Sequence, residues 1–142
     1  LGKQAVSAQV QKPRTSADPD SGRQLALWIA EAGLDKKASN IEIIDVRGKV
    51  DYADFVVVMS GRSDRQVSAV AKGIEEGLKA KHGVRCFSVE GLSGGNWVLL
   101  DFGDVVVHVF HRDTRGYYDL EGLWMDAARV EFESPDDGFA FP

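Results

Sequence analysis

The chain has 142 residues, 44% of them hydrophobic and 27% charged, with a formal net charge of −5. That length suits one domain with one core, and the apolar runs are too short to span a membrane. The charge is uneven: residues 1–89 carry 14 basic and 11 acidic side chains, a net of +3, and residues 90–142 carry 3 basic and 11 acidic, a net of −8. An acidic C-terminal half repels phosphate, which argues against free nucleic acid as a partner. Either it is a solvated acidic surface or it meets something basic.

Residues 1–20 are rich in Gln, Ser, Ala, Lys and Pro without a sustained period, and read as a flexible leader. No signal-peptide layout follows Lys3, and a chain opening on Leu1 rather than Met is expected to have a longer natural start. Leu25, Trp28, Ile29 and Ala32 fall at helical spacing from about residue 21, with Gly33 as a stop. Ile41 to Val46 reads as a strand. Asp54 to Ser60 contains the unbroken apolar run Phe55-Val56-Val57-Val58-Met59, which suits a strand buried on both faces.

Ser63-Asp64-Arg65-Gln66 is a capping box, and the helix it opens lines up Val67, Val70, Ala71, Ile74 and Leu78 before Gly83 ends it. Arg85 to Glu90 follows as a strand, so strand, helix and strand form a crossover unit with the two strands parallel. Asn96–Phe102 and Val105–Phe110 flank the two-residue loop Gly103-Asp104, a hairpin with a type II′ turn. A short helix over about Thr114 to Asp126 is expected next, weakened by Gly116 and Gly122. Residues 133–142 read as a tail, which leaves 21–132 as the domain. The fold class is α/β: a single-domain mixed sheet with flanking helices.

The two-residue loop fixes the hairpin register. Phe102 faces Val105, Leu100 faces Val107 and Val98 faces Val109, so one face is wholly apolar and covers the core. The other face pairs Asp101 with Val106, Leu99 with His108 and Trp97 with Phe110. Large aromatics among polar groups suit a binding surface. Equally, the last helix could cover this face with Tyr117, Leu120, Glu121 and Trp124, or cover part of it.

Sites of chemistry are weakly signalled. His108 and His111 would point to opposite faces of one strand, with no further ligand cluster for a metal. Cys86 is the only cysteine, in an apolar-leaning stretch, and reads as a small core residue in a reducing compartment such as the cytoplasm. His82 lies near a helix end, as a favourable dipole contact. Ser60-Gly61-Arg62-Ser63 precedes a helix, where anions are attracted, but it lacks the phosphate-binding fingerprints, and capping accounts for Ser63. Asp51, Asp54, Asp101 and Asp104 do not gather as a magnesium site requires. No catalytic residue, metal ligand or cofactor is assigned.

Three segments in order resemble the ribosomal silencing factor (Iojap-like) family. The run from Asp51 to Val67 is similar to the segment around its SGxSxRQ signature. Glu90-Gly91 with Trp97 to Phe110 is similar to its EG…WvLlDyGdvvVHvF segment, and Arg115 to Trp124 to its R.fYdLE.LW ending. Together they span about residues 24–128. The resemblance implies a nucleotidyltransferase-like α/β fold without catalytic carboxylates. It also implies binding to the large ribosomal subunit through its ribosomal protein number fourteen (uL14), a block on subunit joining, and repression of translation. It further implies that members can form homodimers and that organelle relatives act in large-subunit assembly. The expected contact comprises Trp97, Leu99, Asp101, His108 and Phe110, helped by Tyr118, Glu121 and Trp124. Two other readings stand beside it, a nucleotidyltransferase-type enzyme using Ser60-Gly61 and nearby acids, and a homodimeric adaptor that self-associates through the mixed face.

Overall fold

The structure, a computed structural model, describes residues 20–132. The expected leader and tail therefore fall outside the described residues, apart from Asp20. In chain order the elements are α1 (Ser21–Asp35), β1 (Ser39–Asp45), β2 (Phe55–Gly61), α2 (Asp64–His82), β3 (Ser88–Glu90), β4 (Trp97–Asp101), β5 (Val105–His111), α3 (Arg112–Tyr118) and a 3-10 turn (Leu120–Trp124). The strands form one sheet in the order β1-β2-β5-β4-β3. β2 and β5 are parallel neighbours and the other pairs are antiparallel, so the sheet is mixed, as the sequence predicts.

The parallel expectation for the strands flanking α2 holds in direction, since two antiparallel steps from β5 bring β3 back parallel to β2. They are not neighbours, because the β4–β5 hairpin inserts between them. β3 is also shorter than the predicted Arg85–Glu90. Phe87 still donates its amide to the Asp101 carbonyl, but the Cys86 thiol turns to the Ser88 carbonyl, and regular pairing starts only at Ser88.

β2 is buried at every position, and it divides two cores. On the helical side Phe55, Val57 and Met59 join Val98, Leu100, Phe102, Val105, Val107 and Val109 of the hairpin under α1 and α2. The other side holds Val56 and Val58 with Ile44, Val46, Phe110, Trp124 and Ala127. The six hairpin residues predicted to share one face are thus in a single core. The register agrees: Leu100 pairs with Val107 and Val98 with Val109, while the Phe102 amide donates to the Val105 carbonyl at 2.9 Å. Gly103 has φ +92°, the left-handed conformation that the first position of a II′ turn requires.

α2 carries its predicted caps. Ser63 Oγ accepts from the Gln66 amide at 3.1 Å, and Gln66 Oε1 reaches back to the Arg62 amide at 2.6 Å, one residue before the expected Ser63. Gly83 closes the helix in the left-handed region. Gly33 does not stop α1, which runs on to Asp35. It serves packing instead: a Cβ there would lie 2.5 Å from Met59 Sδ, so glycine lets the helix settle on β2.

The predicted helix over Thr114–Asp126 is two pieces. α3 ends at Asp119, which takes φ 48° and ψ 52° and turns the chain into the 3-10 segment. Gly122 is therefore not a helix-interior glycine. Its amide donates to the Asp119 carbonyl at 3.0 Å, and a Cβ there would be 2.6 Å from Asp119 Oδ2. Residues 128–130 then close the β1 edge, with Asp45 donating to Ala128 and Val130 to Ile43. That leaves β3, three residues long, as the sheet's open edge, a length that discourages unwanted pairing.

Gly91 turns the chain from β3 towards β4 at φ +93°, and a Cβ would collide with the Trp97 carbonyl oxygen. Gly91→Ala should therefore destabilise the fold by about 2 kcal/mol or more, since strain and backbone collision add. A fall in urea midpoint at unchanged m-value checks this.

Candidate interaction face

The second face of the sheet consists of three rows of side chains. Ser88, Asp101, Val106, Val56 and Ile44 form the first, and Glu90, Leu99, His108, Val58 and Glu42 the second. Trp97, Phe110 and Ser60 form the third. The β1 half of this face is covered by Leu120, Trp124 and Ala127. The β3–β4 half is open: Trp97 is 36% exposed, Ser88 and Glu90 are exposed, and Leu99 and Asp101 are half-buried. Of the outcomes open to the sequence, partial cover is the one observed.

Trp97 is the centre of an aromatic group. Its ring lies 4.8 Å from Phe110, 5.0 Å from Tyr118 and 5.9 Å from His108, centroid to centroid. Such tilted pairs add to the burial of area. Tyr117 meets Tyr118 edge-on at 5.0 Å and is 81% exposed. A shallow cleft of about 440 Å³ opens between Trp97, Asp113, Tyr117 and Tyr118. The expected contact residues thus separate into three sets, with His108 and Glu121 half-buried and bonded to Trp97 and Arg115. Trp97, Leu99, Asp101 and Tyr118 present surface. Phe110 at 0% and Trp124 at 7% exposure lie in the core behind the face and have little surface to offer a partner. Asp101 is partly engaged, since its Oδ1 accepts from the Gly103 amide at 2.8 Å.

His108 holds the tryptophan. The Trp97 Nε1–H donates to His108 Nδ1 at 2.9 Å, a bond that needs the neutral ring. Burial pulls the His108 pKa from its ordinary 6.5 down to about 4, against the opposing pull of the Glu121 carboxylate. A neutral imidazole is therefore fixed under the indole at physiological pH. His111 turns elsewhere: its Nδ1 accepts from the Asp113 amide at 3.2 Å and caps α3.

The sequence alone gives Arg115 no role of its own. It is 8% exposed and joins three elements. Its Nε donates to Glu121 Oε2 at 2.8 Å and its Nη1 to Ser60 Oγ at 2.9 Å and to the Asn40 carbonyl. These bonds fix α3, and hence Tyr118, against the ends of β1 and β2. They also commit Glu121 to an internal ion pair. Its place in the R.fYdLE.LW pattern is the one signal that points to it.

The other candidate sites look structural. Burial pushes the Cys86 thiol pKa up, away from the reactive thiolate. His82 stacks on Trp28, with ring centroids 3.8 Å apart. Among the described residues no three His, Cys, Asp or Glu side chains are grouped to hold a metal, and no helix is long and apolar enough to cross a membrane.

Fold and face together define a mixed α/β domain with an aromatic and acidic patch on the open half of its sheet. The family described as "Ribosomal silencing factor during starvation" matches residues 19–139. The chain is 41% identical over 113 residues to the ribosomal silencing factor of Halalkalibacterium halodurans, covering 80% of this chain and 96% of that one. To the Bacillus subtilis ribosomal silencing factor it is 43% identical over 108 residues, 75% and 91% of the two chains. A crystal structure from Chromobacterium violaceum matches with a TM-score of 0.71 at 35% identity, covering 80% of this chain and 93% of that one. The chain belongs to the ribosomal silencing factor family.

The folded state holds His108 neutral, so the unfolded chain takes up its proton first on acidification. Stability should be complete above about pH 6.5 and fall towards pH 4, by at most about 3 kcal/mol. His108→Gln keeps an acceptor for Trp97 and should flatten this part of a urea-unfolding pH profile; an unchanged slope would remove His108 as its source. Arg115→Ala leaves the Glu121 carboxylate without its partner and should cost about 3–5 kcal/mol, measured by chemical denaturation.

Proposed function

We propose that the protein is a non-catalytic repressor of translation that binds the large ribosomal subunit in the cytoplasm. The contact on the ribosome is uL14, and the bound protein blocks joining of the small subunit. The observation that carries this reading is the open half-face, where Trp97 and Tyr118 stand beside Leu99 and Asp101 with Glu90 at the edge. Rigid aromatics at the centre of a patch supply most of the affinity, and acids around them orient a basic partner. Family membership supports the ribosome as the place where that partner is found. Within the expected set, Trp97, Leu99, Asp101 and Tyr118 make the contact. His108 and Glu121 hold it in shape, and Phe110 and Trp124 support it from the core.

Co-sedimentation with purified large and small subunits at physiological salt tests this. Wild type should travel with the large subunit alone, and Trp97→Ala should bind it about 30-fold more weakly, the equivalent of about 2 kcal/mol for a central anchor. A folded Trp97→Ala protein that binds as wild type does would move the interface elsewhere. Wild type that sediments with neither subunit would end the ribosome reading.

A further inference from the structure

A second surface of opposite charge lies at the same end of the sheet as Trp97. Lys36 and Lys37 follow α1, Arg62 leads into α2 and Arg65 stands in its first turn; all four are exposed. Gln66 ties the backbones of three of them together. Its Nε2 donates to the Lys37 carbonyl at 3.0 Å and the Lys36 carbonyl at 3.4 Å, while its Oε1 accepts from the Arg62 amide at 2.6 Å. The Lys36 stem runs along α2 to Gly73, where a Cβ would be 2.5 Å from Lys36 Cγ, so its ammonium lies about two turns beyond Arg65 and the cations are strung along the helix. The ion pairs found among the described residues involve none of these four cations. Asp64, the one acid between Arg62 and Gln66, packs against Gly95.

The register places this corner at the same end of the sheet as the aromatic patch, but on the helical side, whereas Trp97 and Tyr118 stand on the second face. Ser60, Phe110 and Trp97 form one row across the sheet, and Gly61 and His111 begin the next, with Asn96 accepting from the His111 amide. Arg62 therefore leaves the sheet about two strand spacings, or about 10 Å, from the strand that carries Trp97. A large particle that seats on Trp97 and Tyr118 meets the cationic corner where its surroundings wrap this end of the sheet.

We propose that Lys36, Lys37, Arg62 and Arg65 contact the phosphate backbone of ribosomal RNA next to the basic protein on which the Trp97 patch docks. The inference rests on the ribosome reading above. Two guanidinium groups and two ammonium groups suit phosphate oxygens, and no aromatic is interleaved among them to stack a base, so the contact reads charge rather than sequence. Four cations are too few to hold free RNA against the repulsion of the acidic half. They act once the aromatic patch has brought the chain to the particle.

The test is co-sedimentation with purified large subunits between about 50 and 200 mM salt, with direct binding to isolated uL14 measured alongside. The variant combines Lys36→Ala, Lys37→Ala, Arg62→Ala and Arg65→Ala; Arg62→Gln with Arg65→Gln is the milder alternative should the first lose its fold. For every phosphate that a substitution leaves unneutralised, the slope of log affinity against log salt should become shallower by roughly 0.7–0.9. The fourfold variant should bind the subunit at least about 10-fold more weakly at low salt, yet bind isolated uL14 as wild type does. Wild type should also protect a stretch of ribosomal RNA from hydroxyl-radical cleavage, and the variant should not. Parallel salt plots for variant and wild type overturn the proposal. So does an equal loss on isolated uL14, or weakened subunit binding with no change in RNA protection; either result assigns the corner to a protein contact. Wild type that does not bind the subunit at all ends the ribosome reading itself.

Discussion

Arg115 is the side chain on which the arrangement of the second sheet face depends. A buried guanidinium loses several kcal/mol of hydration and is tolerated only where its donors are matched. Here a carboxylate, a hydroxyl and a backbone carbonyl match them. The carbonyl belongs to Asn40, which takes φ 51° where the β1–β2 register slips between Ser39 and Glu42. Past Arg115, the chain bends back at Asp119, whose amide donates to the Arg115 carbonyl at 2.9 Å. Two non-glycine residues in the left-handed region cost about 1 kcal/mol or more each. The Arg115 bonds make both conformations useful: one offers up the carbonyl, and the other brings Glu121 within reach.

From this clamp follows the division of the face. With α3 fixed at the ends of β1 and β2, the 3-10 turn must run back over β1, where Trp124 and Leu120 close the second core. It cannot also reach β4 and β3. Those strands keep an open face, and the aromatic side chains near the boundary, Trp97 and Tyr118, are half in and half out. The mixed character of the hairpin's second face thus reflects position. Phe110, one strand inward, is fully covered, while Trp97 beside it is not.

Much of this is legible in the sequence wherever contacts are local or set by alternation. A two-residue loop fixes the pairing from Trp97 to Phe110, and an unbroken apolar run marks β2 as the divider between two cores. The capping box and Gly83 bound α2 because caps act within one turn. What the sequence hides is set by distant partners. Arg115 bonds to residues 75 and 55 positions away, so neither its burial nor the break at Asp119 follows from nearby residues. Helical spacing through Tyr117, Leu120 and Trp124 suggests one helix, but tertiary bonds override a weak local preference. Gly33 reads as a stop because glycine is a poor helix former; its value lies in the room it leaves for Met59. The sequence pattern overextends β3 because apolar residues at Val84 and Cys86 pack on the core without entering the ladder.

The acidic excess of the C-terminal half also needs discounting before it is treated as docking charge. Glu121 is held by Arg115, and Asp126 lies within reach of the Lys49 ammonium. Asp101 gives one oxygen to the hairpin turn. Fewer acids are then available on the open half-face than the count along the chain suggests. Against this, the aromatic surface is prepared before any partner arrives. The Trp97 indole is tied to a neutral imidazole, and Tyr118 is carried on a helix anchored through Arg115. Side chains already held in place lose little entropy on binding. Affinity should then follow the shape of the aromatic patch, while the remaining acids and the separate cationic corner set orientation and salt dependence.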